Sequence, residues 1–232
     1  LCNQVLQETG FGSVFTLVIP DNNQIAEDFV KDKRVDLISF TGSSAVGRLV
    51  AENVAARMGK SLLELSGNNA VIIDETADIK LAIPSTVFGS VGTSGQRCTS
   101  TRRLFIHASR FDEVAAQLAA AYKQVKIGNP MRSDILMGPL IDDVAVNLYK
   151  KAVADVVHQG GEILTGGQVI DAPGFFVEPT LVKANNDWPV VQRETFAPIL
   201  YLMSFKTLDE AITLQNNVVQ GLSSSLFTES MR

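Results

Sequence analysis

The stretch SVGTSGQRCTS, residues 90–100, sets a cysteine in surroundings unlike those of a core thiol. Gly92 and Gly95 precede it, Arg97 adjoins it, and Thr99 and Ser100 follow. Such small, polar neighbours leave room for a ligand to reach the sulfur of Cys98. The thiolate is the reactive form, so a working thiol needs a lowered pKa or a base that takes its proton. Arg97 either favours the anion or points at a substrate, and its position alone allows both. The competing reading is a buried structural cysteine, a common fate of the residue. Cys2, with Val5 and Leu6 at helical spacing, reads as structural.

Three further segments offer chemistry. In LLELSG, Glu64 ends an apolar run read as a buried strand. A carboxylate there is either a general base with its pKa raised by desolvation or a side chain turned to solvent. In FTGSSAVG, a strand passes through Gly42 into a helix, which aims backbone N–H groups and the positive helix end at a possible anion. Ser43 as an ordinary N-cap explains the same residues. The segment is neither a P-loop, because Arg48-Leu49 stands where Lys-Ser/Thr is required, nor G-x-G-x-x-G. In QRETFAPILYL, Glu194 is either solvated or an acceptor for ribose hydroxyls. A Cys–His hydrolase has little to draw on, since His107 and His158 both read as surface residues.

These residues need a scaffold, and the pattern predicts an α/β one. Strands are expected at 15–20, 35–42, 60–67, 70–74, 102–107, 174–182, 197–205 and 222–228. Helices are expected at 24–32, 43–58, 111–125, 144–160 and 208–217, with Gly160 closing the fourth. Residues 78–96 are apolar at helical spacing but interrupted by Pro84 and glycines, so an irregular end near Cys98 is expected. Leu1, Val5 and Leu6 share one face of an amphipathic helix. Alternating strands and helices imply parallel βαβ units with both sheet faces covered.

Composition narrows the classes. With 46% hydrophobic residues and a net charge of −5, the chain has no basic excess for nucleic acid. No apolar run approaches the roughly 18 residues of a membrane span. Two distant cysteines form no disulfide framework and no CxxC or Cys/His cluster suggests a metal, so reduced thiols in a cytoplasmic compartment are expected.

FTGSSAVG, LELSGNNA, GQRCTS and ETFAPI occur in this order along the chain, with Cys98 standing 34 residues beyond Glu64. In this conjunction the sequence closely resembles the aldehyde dehydrogenase superfamily over its whole length. GNNA, GQRCT, RRLFIH, ETFAPILY and GLSSS resemble its antiquitin-like subfamily, which oxidises α-aminoadipic semialdehyde, in equilibrium with piperideine-6-carboxylate, in lysine breakdown. The resemblance implies a parallel-sheet catalytic domain, 65–232, joined to the C-terminal part of a Rossmann-like cofactor domain, 1–64. It implies Cys98 as nucleophile, with its N–H forming half of an oxyanion hole, and Glu64 as the base for thioester hydrolysis. Gly42 and Ser43 would lie by the pyrophosphate of NAD (or NADP), and Leu65 would line the cofactor. Glu194 would hold its nicotinamide ribose, and Phe196 would pack near that ring. Arg97 and Thr99 would contact a small-molecule aldehyde. A homo-oligomer without metal, membrane or nucleic acid is implied. Ser66 stands where many relatives have Gly. The family's adenosine-ribose Lys and oxyanion-hole Asn are expected before Leu1, and its closing segment after Arg232, so the 232 residues alone are expected to be inactive. A CoA-acylating relative and a truncated non-catalytic paralogue are the alternatives.

Overall fold

A computed structural model of the chain describes residues 1–12 and 14–230. These divide into two compact units, Leu1–Leu65 and Ser66–Arg232.

The first unit comprises α1 (Cys2–Glu8), α2 (Gln24–Lys31), β1 (Leu37–Thr41), α3 (Ser44–Ala56) and β2 (Lys60–Glu64). β1 and β2 pair in parallel, with Thr41 beside Glu64. Its core is small: Ile38, Val50 and Val54, with Val30, Val35, Phe40 and Leu63 against them. The strand expected at 15–20 does not form. No strand lies beside it among the described residues, so its backbone has no ladder to join, and Leu17 and Ile19 are each 82% exposed. α1 forms but buries nothing, and Cys2 is exposed, contrary to its reading as a structural cysteine.

The second unit is built on a six-stranded sheet. Its elements are β3 (Asn69–Ile73), α4 (Ile79–Val91), β4 (Thr101–His107), α5 (Phe111–Tyr122), α6 (Asp143–His158), β5 (Glu162–Thr165), β6 (Thr180–Lys183), α7 (Pro189–Gln192), β7 (Ile199–Phe205), α8 (Leu208–Asn216) and β8 (Ser224–Phe227). The strand order is β5-β6-β7-β4-β3-β8, parallel throughout except that β5 runs antiparallel to β6. β3, β7 and the Leu104–Ile106 part of β4 are the apolar runs that parallel sheets require, because side chains on both faces are covered. One face packs Ile72, Phe105 and Tyr201 against α6, and the other packs Ile73, Leu104 and Leu202 against α4 and α5. Residues 174–182 do not make one strand. Pro179 lacks the N–H for a ladder, and only a Val169–Val177 bridge and β6 remain on either side of it. β5 was not expected, since four residues beginning with Glu give too short a pattern. α4 runs through Pro84 without a break, and Gly160 follows α6 at φ +97°, where a glycine suits the helix exit. Among the described residues no helix is long and apolar enough to cross a membrane, and no His/Cys/Asp/Glu cluster could hold a metal ion.

Candidate active site

The peptide leading to Cys98 is under local strain. After α4, residues Gly92–Gly95 form a short 3-10 turn in which Thr93, Ser94 and Gly95 have φ of +54°, +56° and +69°. The left-handed region costs a non-glycine residue about 1–2 kcal/mol. Neighbouring bonds hold the turn in place. Ser94 donates its hydroxyl to Gly138 O (2.7 Å), and the Gln96 carboxamide accepts from Ile141 N (2.9 Å) and donates to Pro139 O (3.3 Å). Gly95 lies so close to the chain at Ala197 that a Cβ would meet Ala197 O at 2.3 Å. Ser100 N then donates to Arg97 O (3.0 Å), which closes a turn with Cys98 and Thr99 at its tip. Both tip residues are exposed, and among the described residues no acceptor holds the Cys98 N–H.

The carbonyl side of Cys98 is fixed from below. Asn69, buried at the start of β3, donates its amide to Cys98 O (2.7 Å) and Ser100 O (2.9 Å) and accepts from Ser223 N (3.1 Å). Gly67 presses against the same carbonyl, leaving no room for a side chain there. Sequence reasoning missed Asn69. Its one signal was an amide placed at the mouth of an apolar strand, where a buried polar group needs partners.

Arg97 lies back along α4. Its guanidinium stacks on the Phe88 ring (5.3 Å) and donates to Phe88 O (3.5 Å), while its buried Nε has no partner among the described residues. Glu194 and Phe196 stand in the segment before β7. Glu194 Oε1 accepts from Gly67 N (3.1 Å) and from the Arg102 guanidinium (3.4 Å), so both bonds fall on one oxygen of the carboxylate. Phe196 is 42% exposed and lies under the same guanidinium (5.1 Å). Arg102 was also missed. Burial pushes its pKa down, and the Glu194 carboxylate works against that shift. The histidines do not serve Cys98: His107 bonds Ser109 Oγ and Lys206 O, and His158 is the exposed last residue of α6.

The first unit gathers the other expected residues at one end of its sheet. Gly42 N donates to Glu64 O (3.0 Å), so the strand–helix turn and the end of β2 are tied together. Ser43 caps α3 by accepting from Val46 N (3.3 Å). Leu65 covers the first turn of α3 at Gly47, where only a glycine admits it. Glu64 is exposed, not enclosed by a buried strand. Beside the α3 N-terminus opens a cleft of about 690 Å³, lined by Gly42 and Ser43, by apolar Val46, Leu49 and Val50, and by Asn53.

Over 218 residues the chain is 52% identical to aldehyde dehydrogenase family 7 member A1 of Pisum sativum, covering 94% of this chain and 43% of that one. It is 51% identical over 208 residues to the α-aminoadipic semialdehyde dehydrogenase of Bos taurus, covering 89% of this chain and 39% of that one. The chain thus spans less than half the length of these curated relatives. Among solved structures, betaine aldehyde dehydrogenase of Staphylococcus aureus in complex with NAD+ superposes with a TM-score of 0.93 at 30% identity, over 98% of this chain and 46% of that one. Lactaldehyde dehydrogenase of Escherichia coli gives 0.93 at 32% identity, over 98% and 48%. The family model described as the aldehyde dehydrogenase family matches residues 1–232, and on these findings the chain belongs to the aldehyde dehydrogenase family.

Proposed function

We propose that this chain carries the nucleophile and part of the cofactor site of an NAD-dependent dehydrogenase that oxidises an aldehyde to a carboxylate. The observation that carries the reading is Cys98 itself: an exposed thiol at the tip of a braced turn, with its own N–H uncommitted among the described residues. The unit Leu1–Leu65 then belongs to the cofactor domain and Ser66–Arg232 to the thiol domain.

The residues present fit a dinucleotide. The cleft lined by Gly42 and Ser43 lies at the N-terminal, positive end of α3, where a pyrophosphate is favoured, with apolar walls for a planar base. Glu194 keeps one carboxylate oxygen out of its protein bonds, as an acceptor for ribose hydroxyls needs. Phe196 and Leu65 supply apolar cover in their respective units. NAD, when bound, supplies the hydride acceptor.

The chain's own groups do the rest. The Cys98 thiolate adds to the aldehyde carbon, and the carbonyl electron pair moves to oxygen, where the Cys98 N–H stabilises it. Collapse of this thiohemiacetal expels hydride from the same carbon and leaves a thioester on Cys98. Glu64 takes a proton from water as that water adds to the thioester carbon, and the thiolate departs from the carboxylic product. Arg97 is the group to meet a negatively charged substrate end, with Thr99 two residues on in the chain, and to do so its guanidinium leaves its seat on Phe88. The relatives named for α-aminoadipic semialdehyde support that compound, an aldehyde with an amino-acid head, as the substrate. A homo-oligomer in the cytoplasm belongs to the same reading, and two free cysteines support a reducing compartment.

The test is NADH formation from α-aminoadipic semialdehyde by the protein as its native source makes it. Aldehyde-dependent NADH that disappears in Cys98→Ala is expected, together with acyl-enzyme trapped on Cys98 in Glu64→Gln. Undiminished turnover in Cys98→Ala would overturn the mechanism.

A further inference from the structure

We propose that Arg102 is a positioning residue that fixes the cofactor-gripping segment, Glu194–Phe196, to the turn that carries Cys98. The proposal rests on the dehydrogenase reading above and assigns a role that the reading does not contain.

Successive residues of a strand point to opposite faces, so Arg102 and Arg103 of β4 serve different regions. Both are almost wholly buried. Arg102 spends its five N–H groups on five acceptors in three segments. Nε donates to Gly67 O (3.4 Å) and Nη1 to Gly95 O (3.1 Å) and Thr195 O (2.7 Å). Nη2 donates to Arg97 O (3.0 Å) and Glu194 Oε1 (3.4 Å). The plane also covers the Phe196 ring. Two of these acceptors, Gly95 O and Arg97 O, lie in the segment that leads into Cys98, and three contacts grip residues 194, 195 and 196 in turn. The rigid guanidinium fork therefore sets the separation between the carboxylate that meets the cofactor and the sulfur that meets the substrate. Lysine has three donors on a flexible stem and cannot reproduce that fork. Glu194 is 14% exposed at its side chain, with Oε1 committed to Gly67 N and the Arg102 guanidinium.

Arg103 provides the contrast. Its guanidinium binds Asn68 O, Asn186 Oδ1 and the carbonyls of Leu214 and Gln215 at the end of α8, and it touches neither the Cys98 turn nor residues 194–196. An arginine that merely stabilises the fold behaves like Arg103.

The experiment compares Arg102→Lys, Glu194→Gln, their double variant and Arg103→Lys in the protein as natively made. Three readouts are taken: the KM for NAD against kcat, the melting temperature, and the rate at which iodoacetamide alkylates Cys98 without cofactor. Peptide mapping separates Cys98 from the exposed Cys2. Expected is a KM for NAD raised about tenfold or more in each of Arg102→Lys and Glu194→Gln, with the double variant within about threefold of the worse single. Arg103→Lys lowers the melting temperature and leaves KM in place. Effects that multiply in the double variant, or an Arg102→Lys that shifts melting alone, overturn the proposal. If Arg102→Lys does not fold, Glu194→Gln decides. Coupling through Arg102 requires that it change the alkylation rate of Cys98 without NAD, and an unchanged rate overturns the proposal. If the unaltered protein forms no NADH with any aldehyde, the dehydrogenase reading fails separately. Arg102 is then judged by alkylation alone, where a change of about threefold confined to Arg102→Lys, and absent from Arg103→Lys, upholds it and no change overturns it.

Discussion

Replacing Gly67 with alanine tests whether the Cys98 turn is held by close packing. A Cβ at residue 67 would sit 2.2 Å from the carbonyl oxygen of Cys98 and 2.8 Å from both polar atoms of the Asn69 amide. Carbon–oxygen contacts under 3.0 Å essentially never occur at real Cβ atoms, and here the closest obstacle is backbone. The Cys98 peptide must therefore retreat by about 0.8 Å, and overpacking of this kind costs about 1–3 kcal/mol of stability. Alanine recovers about 0.4–1 kcal/mol by restricting the unfolded chain, which leaves a net loss. The retreat also pulls Cys98 O away from the Asn69 donor, now at 2.7 Å. A displacement near 1 Å at a reacting group lowers turnover by about a hundredfold. Steady-state NADH formation, thermal melting and Cys98 alkylation measure the three consequences. Gly221→Ala is the control, because its Cβ meets nothing within 4 Å. Gly67→Ala with unaltered melting and turnover within about threefold of the parent would refute the packing argument.

Other outcomes follow from the same geometry. Asn69→Ala leaves the carbonyls of Cys98 and Ser100 without their donor, so stability falls by about 1–3 kcal/mol in urea unfolding and Cys98 alkylation changes with it. Thr93→Gly relieves a β-branched residue at φ +54°, and calorimetry should show a gain of about 1 kcal/mol in place of the usual loss. Burial pushes the Tyr149 phenol up to about 12, against 10.0 for the free side chain. The folded state thus holds that proton more tightly, and the stability it adds is whole below pH 10 and is lost as pH climbs to 12. Tyr149→Phe should flatten the decline measured by urea unfolding across that window, and an equally steep decline would count against the assignment.

The sheet was legible wherever burial on both faces left an apolar run at the centre of a strand, as in AVII, LFI and ILYLM. The 15–20 segment has the same look and, among the described residues, no partner strand, which shows that an apolar run records the wish to be covered and not the pairing itself. Cys98 stood out by composition, because small and polar residues around a thiol are a local property. The groups that hold it are not local. Asn69 acts across 29 residues, and Arg102 reaches Thr195 across 93. Their only trace in the sequence is polarity where an apolar side chain was due. Thr93 and Ser94 carry no trace at all, since left-handed backbone is ordinarily announced by glycine.

The bond from Ser223 N to Asn69 Oδ1 sets an order of events during folding. Its two ends lie 154 residues apart, and β8, which Ser223 leads into, pairs directly with β3. Contacts of such separation close slowly, because chain entropy is lost before they repay it. A chain emerging from the ribosome can form the Cys98 turn early, but the amide beneath that turn gains its Ser223 bond only after residue 223 has been made. Until then the sulfur is present without its final seat, and a nascent or stalled chain exposes a thiol whose geometry has not been set.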